Sequence, residues 1–128
     1  MKEIETCIIS NRTKGKLPSL PFVSMKESIL GKSYFFEISF VSSKKQKELN
    51  KKLRGINKTT NILSFPLSSN SGEITIDPKK VKEDAPLFEM TYPKFLKYLV
   101  IHGLLHLKGY DHGDIMERQE KKFLKKFS

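Results

Sequence analysis

A chain of 128 residues suits one domain with a core that needs no disulfide or metal staple, and 38% hydrophobic residues exclude wholesale disorder. The 24 Lys+Arg against 14 Asp+Glu give a formal net charge of +10, which points to an acidic partner, nucleic acid before an anionic membrane surface. One cysteine excludes an intramolecular disulfide and a multi-cysteine zinc site, and the absence of both an apolar leader core and an 18-residue apolar run makes a cytoplasmic protein with no membrane partner the expectation.

Ile4 to Ser10 reads as a first strand, with Cys7 as a small buried hydrophobe in the run Thr6-Cys7-Ile8-Ile9. Pro18 to Leu30 carries Phe22, Met25, Ile29 and Leu30 at helical spacing, with Gly31 as its stop. Phe36, Ile38 and Phe40 alternate within Tyr34–Ser42, a strand pattern. Ser43 then caps a helix from Lys44 to Arg54 whose apolar stripe is Leu49 and Leu53 alone, so most of it faces solvent or a polyanion. Thr59–Phe65 is a strand ended by Pro66, and Gly72–Ile76 is another, joined to it by a short hairpin-like link. Asp77-Pro78 opens a turn or short helix. Thr91 caps a long helix whose Phe95, Leu96, Leu99, Val100, Leu104 and Leu107 predict nearly all-round burial, ended by Gly109. A basic helix, Asp114 to Phe127, closes the chain, with Ile115, Met116, Phe123, Leu124 and Phe127 as its apolar face. Interleaved strands and helices with a hairpin link predict an α+β class: a small mixed sheet packed on a buried central helix, as one domain over residues 1–128.

The charge is uneven. Residues 43–58 hold Lys44, Lys45, Lys47, Lys51, Lys52, Arg54 and Lys58 against Glu48. Residues 117–128 hold five basic residues against Glu117 and Glu120, so these two segments carry most of the excess. The lysines of the first segment, Lys44, Lys45, Lys47, Lys51 and Lys52, are candidates to track a single-stranded RNA backbone, though each alone is more often a solvated charge.

All three histidines fall in eleven residues. His102 and His106 are i and i+4 on one helix face, and the stop at Gly109 lets the chain swing His112 toward the same point. Three imidazoles with an open fourth position describe a catalytic zinc or similar divalent site, one ion per chain. The ligand and glycine spacing is that of the metzincin protease pattern H-E-x-x-H-x-x-G-x-x-H, but Gly103 stands where that pattern has the glutamate that activates water. The metal scaffold is kept and the protease chemistry is not. Met116 reads as a core residue rather than the equivalent of a Met-turn. Asp111 is the neighbouring carboxylate, with orienting a ligand or forming the turn as its expected role. Tyr110 and Phe65 are aromatic candidates for base stacking, with core packing the default for both.

The run His102-Gly-Leu-Leu-His106-Leu-Lys-Gly109-Tyr110-Asp111-His112 resembles the H-G-x-L-H-L-x-G-Y-D-H signature of the YbeY family, bacterial metal-dependent, single-strand-specific endoribonucleases of rRNA 3′-end maturation and ribosome quality control. Leu49-Asn50-Lys51-Lys52-Leu53-Arg54 is similar to the family's L-N-x-x-Y/F-R, and Thr60-Asn61-Ile62-Leu63-Ser64-Phe65-Pro66 to its T-D-V-L-S-F-P. Gly72-Glu73-Ile74 resembles its G-D-I strand, and Met116 and Glu120 fit the ending that follows the D-H. The likeness runs from about residue 41 onward; the first forty residues match only in outline. It implies a zincin-like fold, His102, His106 and His112 as zinc ligands, and Arg54 as a cleft arginine that supports RNA cleavage. It also implies rRNA, the ribosome or ribosomal proteins as partners. Asn61 in place of the family's Asp puts the orientation of a ligand or water in question, and Glu73 replaces an Asp. The chain is shorter than the family pattern around residues 66–72 and after the last helix.

The residue chemistry suits phosphodiester cleavage. A divalent metal polarises a phosphate oxygen or activates water, and a guanidinium holds phosphate in bidentate fashion. Catalysis is therefore assigned to Arg54 and His102, with the general base left open. Two alternatives stand beside it: a zincin-type metalloprotease, and a non-catalytic, zinc-containing, ribosome-associated RNA-binding module in which Asp111 or Asp114 closes the site.

Overall fold

A computed structural model describes residues 5–128, so the expected strand start at Ile4 lies outside the described residues. Four strands form one sheet: β1 (Cys7–Asn11), β2 (Phe35–Phe40), β3 (Ile62–Ser68) and β4 (Ser71–Ile76), in the order β1-β2-β4-β3. β1, β2 and β4 are parallel and β3 is antiparallel to β4, the mixed sheet expected from one hairpin among longer crossovers. The helices are α1 (Phe22–Leu30), α2 (Ser43–Arg54), α3 (Pro78–Asp84), α4 (Tyr92–Lys108) and α5 (Asp114–Lys126), with a 3-10 turn over Ala85–Phe88. Among the described residues, no helix is long and apolar enough to cross a membrane.

Alternation within the strands puts Phe36, Ile38 and Phe40 of β2 beside Ile74 and Ile76 of β4, all buried, against Met25 and Ile29 of α1 and Phe95, Leu96, Val100, Ile101 and Leu104 of α4. α4 is the central helix, covered by the sheet, α1 and α5, but not all round: His102, His106 and Leu107 are half-buried along a flank that opens to solvent. Thr91 caps it by accepting from Lys94 N, and Gly109 ends it at φ 113°, a left-handed conformation that a side chain would strain.

Several expected boundaries move for local reasons. α1 starts at Phe22 rather than Pro18, because Pro18 and Pro21 hold the preceding residues away from helical geometry. The cap of α2 is Ser42, not Ser43; its extended backbone lets its hydroxyl accept from Lys45 N at 3.2 Å. β3 runs through Pro66 to Ser68, since an edge strand tolerates a missing N–H. The buried side of α2 is not Leu49 and Leu53: Leu53 is 50% exposed, while Gln46 and Asn50 are buried. Gln46 donates to the Thr75 carbonyl of β4 at 3.0 Å and Asn50 to the Lys58 carbonyl at 2.8 Å, so directional bonds seat this helix. On α5, Met116 and Phe123 are buried as expected, and Met116 is a core residue, but Ile115 is 61% exposed.

Candidate metal centre and cleft

His102 and His106 project from the open flank of α4, and the turn after Gly109 returns His112 beside them. The ring centroids are 4.7 Å apart for His102–His106, 4.9 Å for His106–His112 and 5.3 Å for His102–His112. One nitrogen from each lies within 4.8 Å of the other two. A tetrahedral ion with bonds of ~2.0–2.1 Å needs such nitrogens about 3.4 Å apart, which falls within that limit. Three neutral imidazoles are a borderline-soft donor set that fits zinc or a similar divalent ion. Burial, and then the neighbouring His102 and His112 imidazoles, holds His106 below the ordinary histidine pKa, which favours the neutral, ligating form. Among the described residues this cluster contains no carboxylate; neither Asp111 nor Asp114 joins it.

The histidines form one wall of a cleft of about 370 Å³. Ile62, Ser64 and Pro66, alternate residues of β3, form the facing wall, and Arg54 reaches it from the last turn of α2. Two segments far apart in sequence thus bring the arginine and the three histidines to one cavity. Gly103 sits at its floor, where a Cβ would lie 2.7 Å from Ile74 Cδ1 and 3.1 Å from Ile62 Cδ1. The glutamate of the protease pattern therefore has no room at this position, because α4 lies too close to the sheet.

The five lysines are exposed and none lines the cleft. Lys44, Lys47 and Lys51 nevertheless share a face of α2 with Arg54, by their spacing of three, four and three residues. Tyr110 packs against the core. Asn61 turns away from the histidines: its amide donates to Asp84 Oδ2 at 3.0 Å, and its carbonyl accepts from Asp77 N. An Asp at this position would set two carboxylates against each other, so the departure from the family motif fits its own surroundings.

The residue that sequence reasoning undervalued is Glu120. It is buried in α5, and its Oε2 lies 3.3 Å from His102 Nδ1. Asp111, the carboxylate nearest in sequence, is exposed. The signal was present in the motif ending, but 18 residues separate Glu120 from His102, and only the packing of α5 on α4 joins them.

The family model described as Endoribonuclease YbeY matches residues 9–128. Proteins named Endoribonuclease YbeY from Thermodesulfovibrio yellowstonii and Thermotoga maritima are 42% and 41% identical over 95 and 93 residues, covering 69% and 66% of this chain. These alignments span only 59% and 62% of those relatives' own length. One of the same name from Alkaliphilus metalliredigens is 31% identical over 129 residues, covering 92% of this chain and 80% of the relative. A solution structure of a Thermotoga maritima protein superposes with a TM-score of 0.67 at 32% identity, covering 94% of this chain and 88% of that one. Motif, fold and similarity over nearly the whole chain agree, and the chain belongs to the YbeY family.

Proposed function

We propose that the protein is a metal-dependent, single-strand-specific endoribonuclease that acts in rRNA 3′-end maturation and ribosome quality control, in the cytoplasm, with the ribosome or its proteins as partners. Within that reading His102, His106 and His112 hold one zinc ion per chain. The observation that carries it is the presence of Arg54 in the same cleft as the three histidines.

The chain's own groups divide the work. His102, His106 and His112 line the cleft and would supply three nitrogen donors to a divalent ion. A divalent ion held there supplies Lewis acidity toward a phosphate oxygen. Arg54 grips the same phosphate with two parallel N–H donors and stabilises charge that develops on its oxygens. Ile62 and Leu107 give the cleft apolar walls that strengthen those contacts. Lys44, Lys45, Lys47, Lys51 and Lys52 attract the strand to α2. The substrate is RNA by family membership and by charge, and rRNA by family alone.

The protease alternative loses its support at Gly103, where packing leaves no place for the catalytic glutamate. The structural-zinc alternative needs a fourth protein ligand, and the cluster has three.

The test is incubation of ribosomes and naked rRNA with wild type and His102→Ala, followed by end mapping. Cleavage by wild type alone is expected. Equal cleavage by both assigns the activity to a contaminant and overturns the reading. Elemental analysis of protein purified without added metal should give about one divalent ion per chain.

A further inference from the structure

We infer that Glu120 is a positioning residue for the metal centre: from α5 it fixes the ring and tautomer of His102 so that Nε2 faces the ion. The inference rests on the three-histidine reading above and adds a residue outside the ligand set.

Glu120 stands in an apolar seam. Met116 and Phe123, one turn to either side on the same face of α5, are buried core residues, and Glu120 itself is 6% exposed. A carboxylate in such a place costs stability unless it is paired. Among the described residues the group within hydrogen-bond reach of it is not a lysine or arginine but His102, through Nδ1 at 3.3 Å. Tyr98 lies one turn before His102 on α4, with the two rings 6.1 Å apart. Its phenol is pushed up to about 12 by burial first and then by the Glu120 carboxylate it meets. The carboxylate thus faces the Nδ1 edge of the His102 ring, with the Tyr98 phenol beside it.

The consequence follows from imidazole chemistry. A neutral ring has one N–H and one lone pair. Donation from Nδ1 to Glu120 leaves the lone pair on Nε2, on the far side of the ring, and holds the ring in that orientation. No such partner is found for the His106 or His112 ring among the described residues, so His102 is the anchored ligand. His112, on the exposed turn, is the adjustable one.

Zinc affinity measured by chelator competition tests the inference. Glu120→Met fills the same volume without an acceptor, and Glu120→Gln keeps an acceptor without the charge. A positioning role predicts that Glu120→Met stays folded without metal and binds zinc about 10–100-fold more weakly. Glu120→Gln should fall between it and wild type. In mildly alkaline buffer, long-range proton–nitrogen spectra of metal-free wild type should show His102 protonated on Nδ1. Wild-type zinc affinity in either folded variant, or His102 protonated on Nε2 in the wild type, overturns the inference. If Glu120→Met fails to fold, the affinity of Glu120→Gln and the wild-type spectrum decide. Failure of the wild type itself to bind a divalent ion instead removes the metal reading, so the two failures are distinguishable.

Discussion

Arg54 is exposed in the last turn of α2, where a cation ordinarily only complements the helix dipole. It also lines the cleft, and under the proposed function it has a second task that a lysine cannot copy, because a guanidinium presents two N–H groups in a plane and an ammonium is a point charge. Arg54→Ala should lower single-turnover cleavage of a labelled single-stranded RNA by about 10²–10³-fold, the cost of losing one preorganised donor. Its thermal midpoint should not move, since the side chain packs against nothing deep. Arg54→Lys should recover little; full recovery would mean that charge alone suffices. His106 gives a pH signature. Its folded pKa lies below the ordinary value of 6.5, burial being the main cause, so as pH falls the unfolded chain takes up the proton first. Metal-free stability should therefore be level above that value and decline below it, and urea midpoints across a pH series should show a shallower decline in His106→Gln. The histidines were legible as candidates because their spacing marks them, and Arg54 because it falls in a motif the family shares. Glu120 was not, because its role depends on which face of α5 meets α4.

At the scale of elements, α4 and α2 are held by different physics. α4 lies against the sheet through apolar contacts and the missing side chain of Gly103. Gly103→Ala forces a methyl against Cδ1 of Ile74, which is fully buried and must shift to admit it. Overpacking of this kind costs about 1–3 kcal/mol, offset by the roughly 1 kcal/mol that Ala gains over Gly within a helix, so the net loss should reach up to about 2 kcal/mol by urea unfolding. A stabilised variant would show that the helix has slack here. α2 is seated by Gln46 and Asn50 instead. Gln46→Leu removes the amide's bond to the Thr75 carbonyl and should cost about 0.5–1.5 kcal/mol. Because the same helix carries Arg54, it should also slow cleavage. Sequence periodicity located every helix and strand that positions the cleft, since hydrophobic repeats and caps are local. It assigned the wrong inner face to α2, because Leu49 and Leu53 are the apolar choice and only the sheet beneath shows that a buried carbonyl wanted an amide. It also ended β3 at Pro66, since edge position is a property of the sheet and not of the strand.

At the scale of the molecule, the +10 charge acquires a direction. Lys44, Lys47 and Lys51 recur at helical spacing on one exposed face of α2, and the next residue in that series is Arg54, which enters the cleft. Under the proposed function, a strand held along this stripe would be led by its phosphates to the arginine and the histidines. Each single-stranded phosphate neutralised by a cation contributes about 0.7 to the slope of log affinity against log salt. Replacing Lys44, Lys47 and Lys51 together with Gln should thus flatten that slope by about 2 and weaken binding in low salt. The three-histidine site and the fold should be untouched, as these side chains are exposed and none lies in the cleft. The matching triple replacement on α5, Lys121, Lys122 and Lys125, provides the comparison: these cations are also exposed, but none lines the cleft and no arginine continues their stripe into it. A filter-binding titration with a catalytically inactive His102→Ala background isolates binding from turnover. If the α5 replacement flattens the slope as much as the α2 replacement, the charge acts as a diffuse cloud and α2 is not the path to the cleft.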